Sequence, residues 1–242
     1  MKNILKSFIV SSIFFGCSFF VASSVNLPYP YNTVKTLLPF DDHGWYANEQ
    51  WISKLMTNNK IENVIEVGSW LGCSTRHVAS LLSSGGKLYA VDTWKGSVEH
   101  LLGVEWGADK LPTLYEQFLS NTIHAGLTDI IVPIRESSLD AVSVLKNYGD
   151  HFDLVYIDAA HDTISVRNDL EAYFPLVKGN KGILCGDDWR HGPVQVAVIE
   201  FAQKYNLTIY AGDNFFFVKE AGQYDCLSFQ EASESVWHFN QK

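Results

Sequence analysis

Residues Val64 to Thr75 read V-I-E-V-G-S-W-L-G-C-S-T: an apolar run ending in an acid, a glycine, three spacers, a second glycine, then small hydroxyl residues opening a helix. Gly68 and Gly72 let the backbone turn tightly and approach a ligand closely, because a Cβ at either place would cost strain or collide. The spacing G-x-x-x-G departs from G-x-G-x-x-G, which seats a pyrophosphate on the helix N-terminus. Glu66, just before the turn, would repel a phosphate. With Glu66, Gly68, Ser69, Gly72, Ser74 and Thr75 as candidate contacts, the turn suits a ligand that is cationic or hydroxyl-bearing and carries no phosphate.

Outward from this turn, strand-like apolar runs alternate with helical stretches beyond Thr33, the pattern of a mainly parallel sheet covered by helices on both faces. Trp45 to Asn58 has helical spacing, Ile61 to Val67 is strand one, and Ser74 to Ser83 is the helix after the turn. Lys87 to Val91 is strand two, closed by Asp92, and a helix from Leu111 to Ala125 leads to strand three, Ile130 to Ile134. A helix from Leu139 to Tyr148 precedes strand four, Phe152 to Ile157, closed by Asp158. Another from Thr163 to Phe174 precedes strand five, Gly182 to Cys185, followed by Asp187 and Asp188. Pro193 is well placed at the start of a helix over Val194 to Tyr205. Leu207 to Tyr210 and Phe215 to Val218, around Gly212-Asp213-Asn214, read as a closing β-hairpin.

Ligands of open α/β sheets sit beyond the carboxyl ends of the strands, so the residues closing the strands are the candidates for chemistry. Asp92 follows Glu66 by 26 residues, close to where an acid grips ribose hydroxyls in nucleoside-binding folds, and Thr93 stands beside it. The plain alternative for Asp92 is a loop or capping acid. Arg135-Glu136-Ser137-Ser138 follows strand three, where Ser137 could reach an adenine or cap the next helix. S-adenosylmethionine, with an ammonium, a sulfonium and no phosphate, fits these requirements.

The ordered series E-V-G-S-W-L-G-C-S-T (66–75), L-Y-A-V-D-T-W (88–94), F-D-L-V-Y-I-D-A-A-H (152–161) and G-I-L-C-G-D-D-W (182–189) resembles class I S-adenosylmethionine-dependent methyltransferases. Within them it is most similar to the macrocin O-methyltransferase and cephalosporin-hydroxylase-like group. The resemblance spans about Trp45 to Lys219 and implies a Rossmann-like seven-stranded α/β sheet, order 3-2-1-4-5-7-6, with strand seven antiparallel. It also implies a divalent cation held by an acid after strand four and two after strand five, positions that Asp158, Asp187 and Asp188 occupy. Three carboxylates at neighbouring strand ends repel one another unless neutralised, and oxygen ligands suit Mg²⁺. Such an ion would lower the pKa of an acceptor hydroxyl. The alternative is that Asp158 or Asp187 caps a helix and no metal binds.

One departure bears on catalysis. The family often carries a second acid two residues after the strand-four acid, whereas here the run is Asp158-Ala159-Ala160-His161. Alanine takes no proton, so His161 becomes the candidate base beside Asp158, with His191 second. A structural histidine is the competing reading. The acceptor pocket is expected from Trp94, Lys95, His100, Trp106 and Asp109, with Asp41 to Trp51 as a second wall, although lid packing accounts for the same aromatics. The leading reading is a metal-assisted O-methyltransferase acting on a small hydroxyl-bearing acceptor. Alternatives are an S-adenosylmethionine-binding homologue that does not methylate, such as a hydroxylase-like enzyme or sensor, and a secreted interaction protein on the same fold.

The 242 residues suit a single core, and 19% charged against 47% apolar residues excludes global disorder. A net charge of −9 without a basic face argues against nucleic acid as partner. Lys2 and Lys6, the apolar stretch Phe8 to Val21 and Ala22-Ser23-Ser24 read as a secretory signal peptide over residues 1–24. Its removal would take the net charge from −9 to −11. If it were not cleaved, it would anchor the chain to a membrane. The expected division is then an N-terminal extension (25–44), a methyltransferase domain (45–220) and a tail (221–242). Export sits awkwardly with S-adenosylmethionine, which is made in the cytosol. Cys73, Cys185 and Cys226 show no metal or dithiol spacing, and Cys73 and Cys185 read as small buried hydrophobes.

Overall fold

Seven short apolar runs form one sheet because each alternates its side chains between two helical layers. The computed structural model describes residues 26–97, 100, 102–103, 107–177 and 179–220. The leader, the tail and Trp106 lie outside the described residues. The strands are β1 (Asn63–Val67), β2 (Lys87–Asp92), β3 (Ile131–Arg135), β4 (Leu154–Ile157), β5 (Ile183–Gly186), β6 (Leu207–Gly212) and β7 (Phe215–Glu220). Their order is β3-β2-β1-β4-β5-β7-β6. β1 to β5 run parallel, and β7 is antiparallel to both β5 and β6. The expected Rossmann-like sheet and terminal hairpin are both present.

On one face Val64, Leu88, Leu154, Ile183 and Phe217 pack beneath helices α1 (Glu49–Asn58), α2 (Cys73–Ser80) and α3 (Leu114–His124). On the other, Ile65, Val67, Val155, Leu184 and Val218 pack beneath α4 (Ser138–Leu145), α5 (Thr163–Tyr173) and α6 (Gly192–Tyr205). Each such side chain, fully buried, contributes on the order of 1.5–3 kcal/mol. The chain ahead of α1 is strapped along α3: Leu38 N–H donates to Ser120 Oγ (3.1 Å), and Asn121 Nδ2 donates to the carbonyls of Asp41 (2.7 Å) and Leu71 (2.9 Å). Among the described residues no helix is long and apolar enough to cross a membrane.

α1 begins at Glu49, four residues later than the spacing predicts. Residues 45–48 stay irregular because their side chains are committed elsewhere. The Tyr46 hydroxyl meets His77 Nδ1 at 2.6 Å, and buried Asn48 reaches Tyr156 on β4. That start places Asn48 beneath the site, which a longer helix would not.

Candidate active site

The turn after β1 is shaped by two glycines in left-handed backbone. At Gly68 (φ +91°) a Cβ would lie 1.7 Å from the Asp158 carbonyl oxygen, so the turn can press against the end of β4 only without a side chain. At Gly72 (φ +82°) a Cβ would lie 2.9 Å from the Phe118 ring. Trp70 between them also has positive φ (+47°), which costs roughly 1–2 kcal/mol for a residue with a Cβ. Its ring stacks on His100 (4.8 Å), and its carbonyl accepts the Trp94 indole N–H (2.9 Å).

Glu66 points its carboxylate into the protein. It is 1% exposed, and its carboxylate accepts hydroxyls from Ser69 (2.7 Å), Ser74 (2.6 Å) and Thr75. Burial pushes its carboxyl above the usual range, against the three hydroxyls that lower it. The side chains of Glu66, Ser69, Ser74 and Thr75, all expected near the ligand, form an internal knot tying the start of α2 to the end of β1. Even-numbered β1 residues face the α2 layer, so the sheet's alternation aims Glu66 inward.

Asp92 holds the same turn from β2. Its Oδ2 accepts the N–H groups of Ser69 (3.0 Å) and Trp70 (2.9 Å), and its Oδ1 accepts that of Trp94 (2.7 Å). Thr93 Oγ1 accepts the Lys95 N–H (3.1 Å). Ser137 is the N-cap of α4, accepting Asp140 N–H (3.2 Å) and donating to Asp140 Oδ2 (2.6 Å). The capping alternative is therefore the one its side chain adopts.

Asp158, Asp187 and Asp188 meet at the ends of β4 and β5, lining a small cleft with Ala159 and Ala160. Asp187 Oδ1 accepts Asp188 N–H (2.6 Å) and Asn214 Nδ2 (2.8 Å), and its Oδ2 accepts the Tyr156 hydroxyl (3.4 Å), which in turn accepts Asn48 Nδ2 (3.4 Å). Asp188 Oδ1 accepts Asn214 Nδ2 (3.2 Å), and its Oδ2 pairs with His161 Nε2 (3.0 Å). The His161 and His191 rings meet edge to face at 5.4 Å. Burial, then the charges of Asp187, Asp188 and Glu66, push Asp158 well above the carboxylate range. Burial also pushes Asp187 up to about 6. Burial acts to raise Asp188 too, but its hydrogen bond to His161 and the histidine's charge outweigh it and hold Asp188 low.

These contacts decide how the site suits the expected groups. Among the described residues no three His, Cys, Asp or Glu side chains are placed to hold a metal ion. All four oxygens of Asp187 and Asp188 accept from protein donors, and Asp158, Asp187 and Asp188, expected to hold Mg²⁺, are not grouped as a metal site. The donor set fits S-adenosylmethionine better: a glycine cradle at the strand ends, with Asp92, Asp158, Asp187 and Asp188 on one edge, favours ammonium and sulfonium over phosphate.

Three contributors were missing from the sequence reading: Asn48, Tyr156 and Asn214. They lie 166 positions apart at the extremes, and no spacing links them. Only Asn214, in the hairpin turn, carried a local signal, and that signal was for a turn. The expected acceptor wall is largely packing. Trp94 is 2% exposed against Tyr115 and Phe118, Asp41 pairs with Lys110 (2.5 Å), Trp51 is core, and Lys95 and Asp109 lie on the surface. Trp45 remains 53% exposed beside Trp70, with ring centroids 5.9 Å apart. Cys185 is buried on β5 and donates to the Val155 carbonyl (3.4 Å), while Cys73 opens α2.

A family model described as a methyltransferase domain matches residues 65–189, just over half of the chain, and the chain belongs to that family. It is a class I S-adenosylmethionine-dependent methyltransferase. No curated protein matches it. Among solved structures it is similar to the O-methyltransferase from Bacillus cereus in complex with SAH, at 21% identity and a TM-score of 0.54, covering 78% of this chain and 87% of that one. It is also similar to the O-methyltransferase TomG from Streptomyces achromogenes, involved in tomaymycin synthesis and solved with SAM. That match has 16% identity and a TM-score of 0.56, covering 83% of this chain and 94% of that one. At these identities the likeness concerns the fold.

Proposed function

We propose that this protein transfers the methyl group of S-adenosylmethionine to a hydroxyl of a small acceptor, with His161 as general base. The observation that carries the reading is the His161–Asp188 pair at 3.0 Å, set on the same sheet edge as the glycine turn. When bound, S-adenosylmethionine supplies an electrophilic methyl carbon on a sulfonium. The acceptor oxygen forms a bond to that carbon while the carbon–sulfur bond breaks, the electron pair staying on sulfur. His161 takes the hydroxyl proton, and Asp188 orients the ring and stabilises the imidazolium that forms. Asp92, by holding the Ser69 and Trp70 amides, keeps the cradle in shape and offers its remaining lone pairs to ribose hydroxyls. Ser137 marks the turn that borders an adenine.

The metal-assisted version has weaker support, because among the described residues no three His, Cys, Asp or Glu side chains are grouped to hold an ion, and no step above uses a metal. The kinship to macrocin O-methyltransferases and the export of the chain by residues 1–24 belong to the same proposal. Fractionation of an epitope-tagged chain tests the latter, and a full-length cytosolic product would overturn it.

Calorimetric titration with S-adenosylmethionine, with and without Mg²⁺, tests the main reading. Binding at tens of micromolar or tighter is expected, indifferent to Mg²⁺, and its absence sinks the proposal. Asp92→Ala should weaken binding by roughly tenfold or more, while Asp188→Ala spares it. Equal losses would contradict the division of roles.

A further inference from the structure

Asn214, at the tip of the β6–β7 hairpin, turns its side-chain amide and its backbone carbonyl to the loop after β5. Its amide nitrogen donates to Asp187 Oδ1 (2.8 Å) and Asp188 Oδ1 (3.2 Å). Its side-chain oxygen accepts the Arg190 N–H (3.1 Å), and its carbonyl accepts the Trp189 N–H (3.0 Å). The amide can point only one way, since the reverse would turn an oxygen toward two carboxylates and a nitrogen toward a donor. Adjacent carboxylates repel each other, and a cation between them is the usual remedy. Here two amide hydrogens stand in that position, making charge-assisted bonds to both acids.

The clamp has a second effect. Asp188 has φ +62°, a strained conformation that persists only where the surroundings over-determine it. Asn214 on Oδ1, His161 on Oδ2 and the His191 N–H on the Asp188 carbonyl (2.8 Å) supply that determination. We propose that Asn214 is a positioning residue: its amide stands between Asp187 and Asp188 in place of a cation and aims Asp188 at His161, so that the acid pair works without a metal. The purpose of the clamp rests on the methyl-transfer reading, but its existence does not.

Spectra of the full chain labelled with ¹⁵N-histidine, together with titrations of MgCl₂ and of S-adenosylmethionine, test this. The wild type should show His161 Nε2 hydrogen-bonded and no Mg²⁺ binding tighter than about 1 mM. Asn214→Ala and Asp188→Asn should both shift the His161 signal in the same direction, whereas Asp213→Asn, one residue away in the same turn, should leave it in place. Asn214→Asp, nearly the same shape, sets a third carboxylate where the amide stood and should bind Mg²⁺ at least about tenfold more tightly than the wild type. A His161 signal unmoved by Asn214→Ala overturns the proposal, as does wild-type Mg²⁺ affinity equal to that of Asn214→Asp. Failure of the wild type to bind S-adenosylmethionine would sink the functional reading while leaving the histidine and Mg²⁺ readouts to decide on the clamp.

Discussion

At Gly68 a single hydrogen in place of a methyl group decides whether β1 and β4 can close on each other. Gly68→Ala would force a carbon to within 1.7 Å of the Asp158 carbonyl oxygen in a backbone conformation that already disfavours side chains. We expect the variant to lose its cooperative thermal transition in circular dichroism, and a native-like melting curve would refute the close approach. Glu66 makes a complementary case. Its buried carboxylate depends on three hydroxyls, and Thr75→Val removes one while nearly keeping the shape. The loss should be about 1–3 kcal/mol in urea unfolding, since a buried acceptor is left short of a donor. The acid and both glycines were legible in the sequence, but the direction of the acid was not, because a one-dimensional motif does not say which face of the strand is covered.

Helix starts illustrate how local chemistry carries the elements. Asp162 precedes α5 and accepts the N–H groups of Ile164 (3.1 Å) and Ser165 (3.0 Å). Hydrogen bonding to Ser165 holds its carboxyl below the usual range. Asp162→Ala should cost about 1 kcal/mol at neutral pH, read from the urea midpoint at unchanged slope. α5 also packs on α6. Strands and helices of this kind were readable to within a few residues. The start of α1 was not, because Asn48 is claimed by Tyr156, a residue 108 positions away.

For the molecule as a whole, buried acids set the response to pH. Asp169 on α5 is 3% exposed, and burial pushes its carboxyl up to about 6, against a hydrogen bond from Ser138. A raised acid binds its proton more tightly in the folded chain than in the unfolded one. Its contribution is therefore intact below the unfolded value of 3.8 and is lost as pH rises toward about 6. The loss is on the order of 3 kcal/mol. Asp169→Asn should flatten the fall in unfolding free energy between pH 4 and pH 6.5 in urea titrations at a series of pH values, and an unchanged slope would show that Asp169 is not the group responsible.

The sequence by itself determined the sheet, its strand order through family likeness, the glycine turn and the edge where chemistry gathers. Periodicity and chain order suffice for the strands, the turn and the edge, since each depends on residues near one another along the chain, whereas the strand order came with the family likeness. Only the tertiary structure decided that Glu66 turns inward, that Asp92 holds backbone amides, and that Asn48, Tyr156 and Asn214 converge on the acids. Those outcomes depend on which donors surround each carboxylate once distant segments pack together, and a buried charge takes its partners from whatever the fold brings within hydrogen-bonding distance.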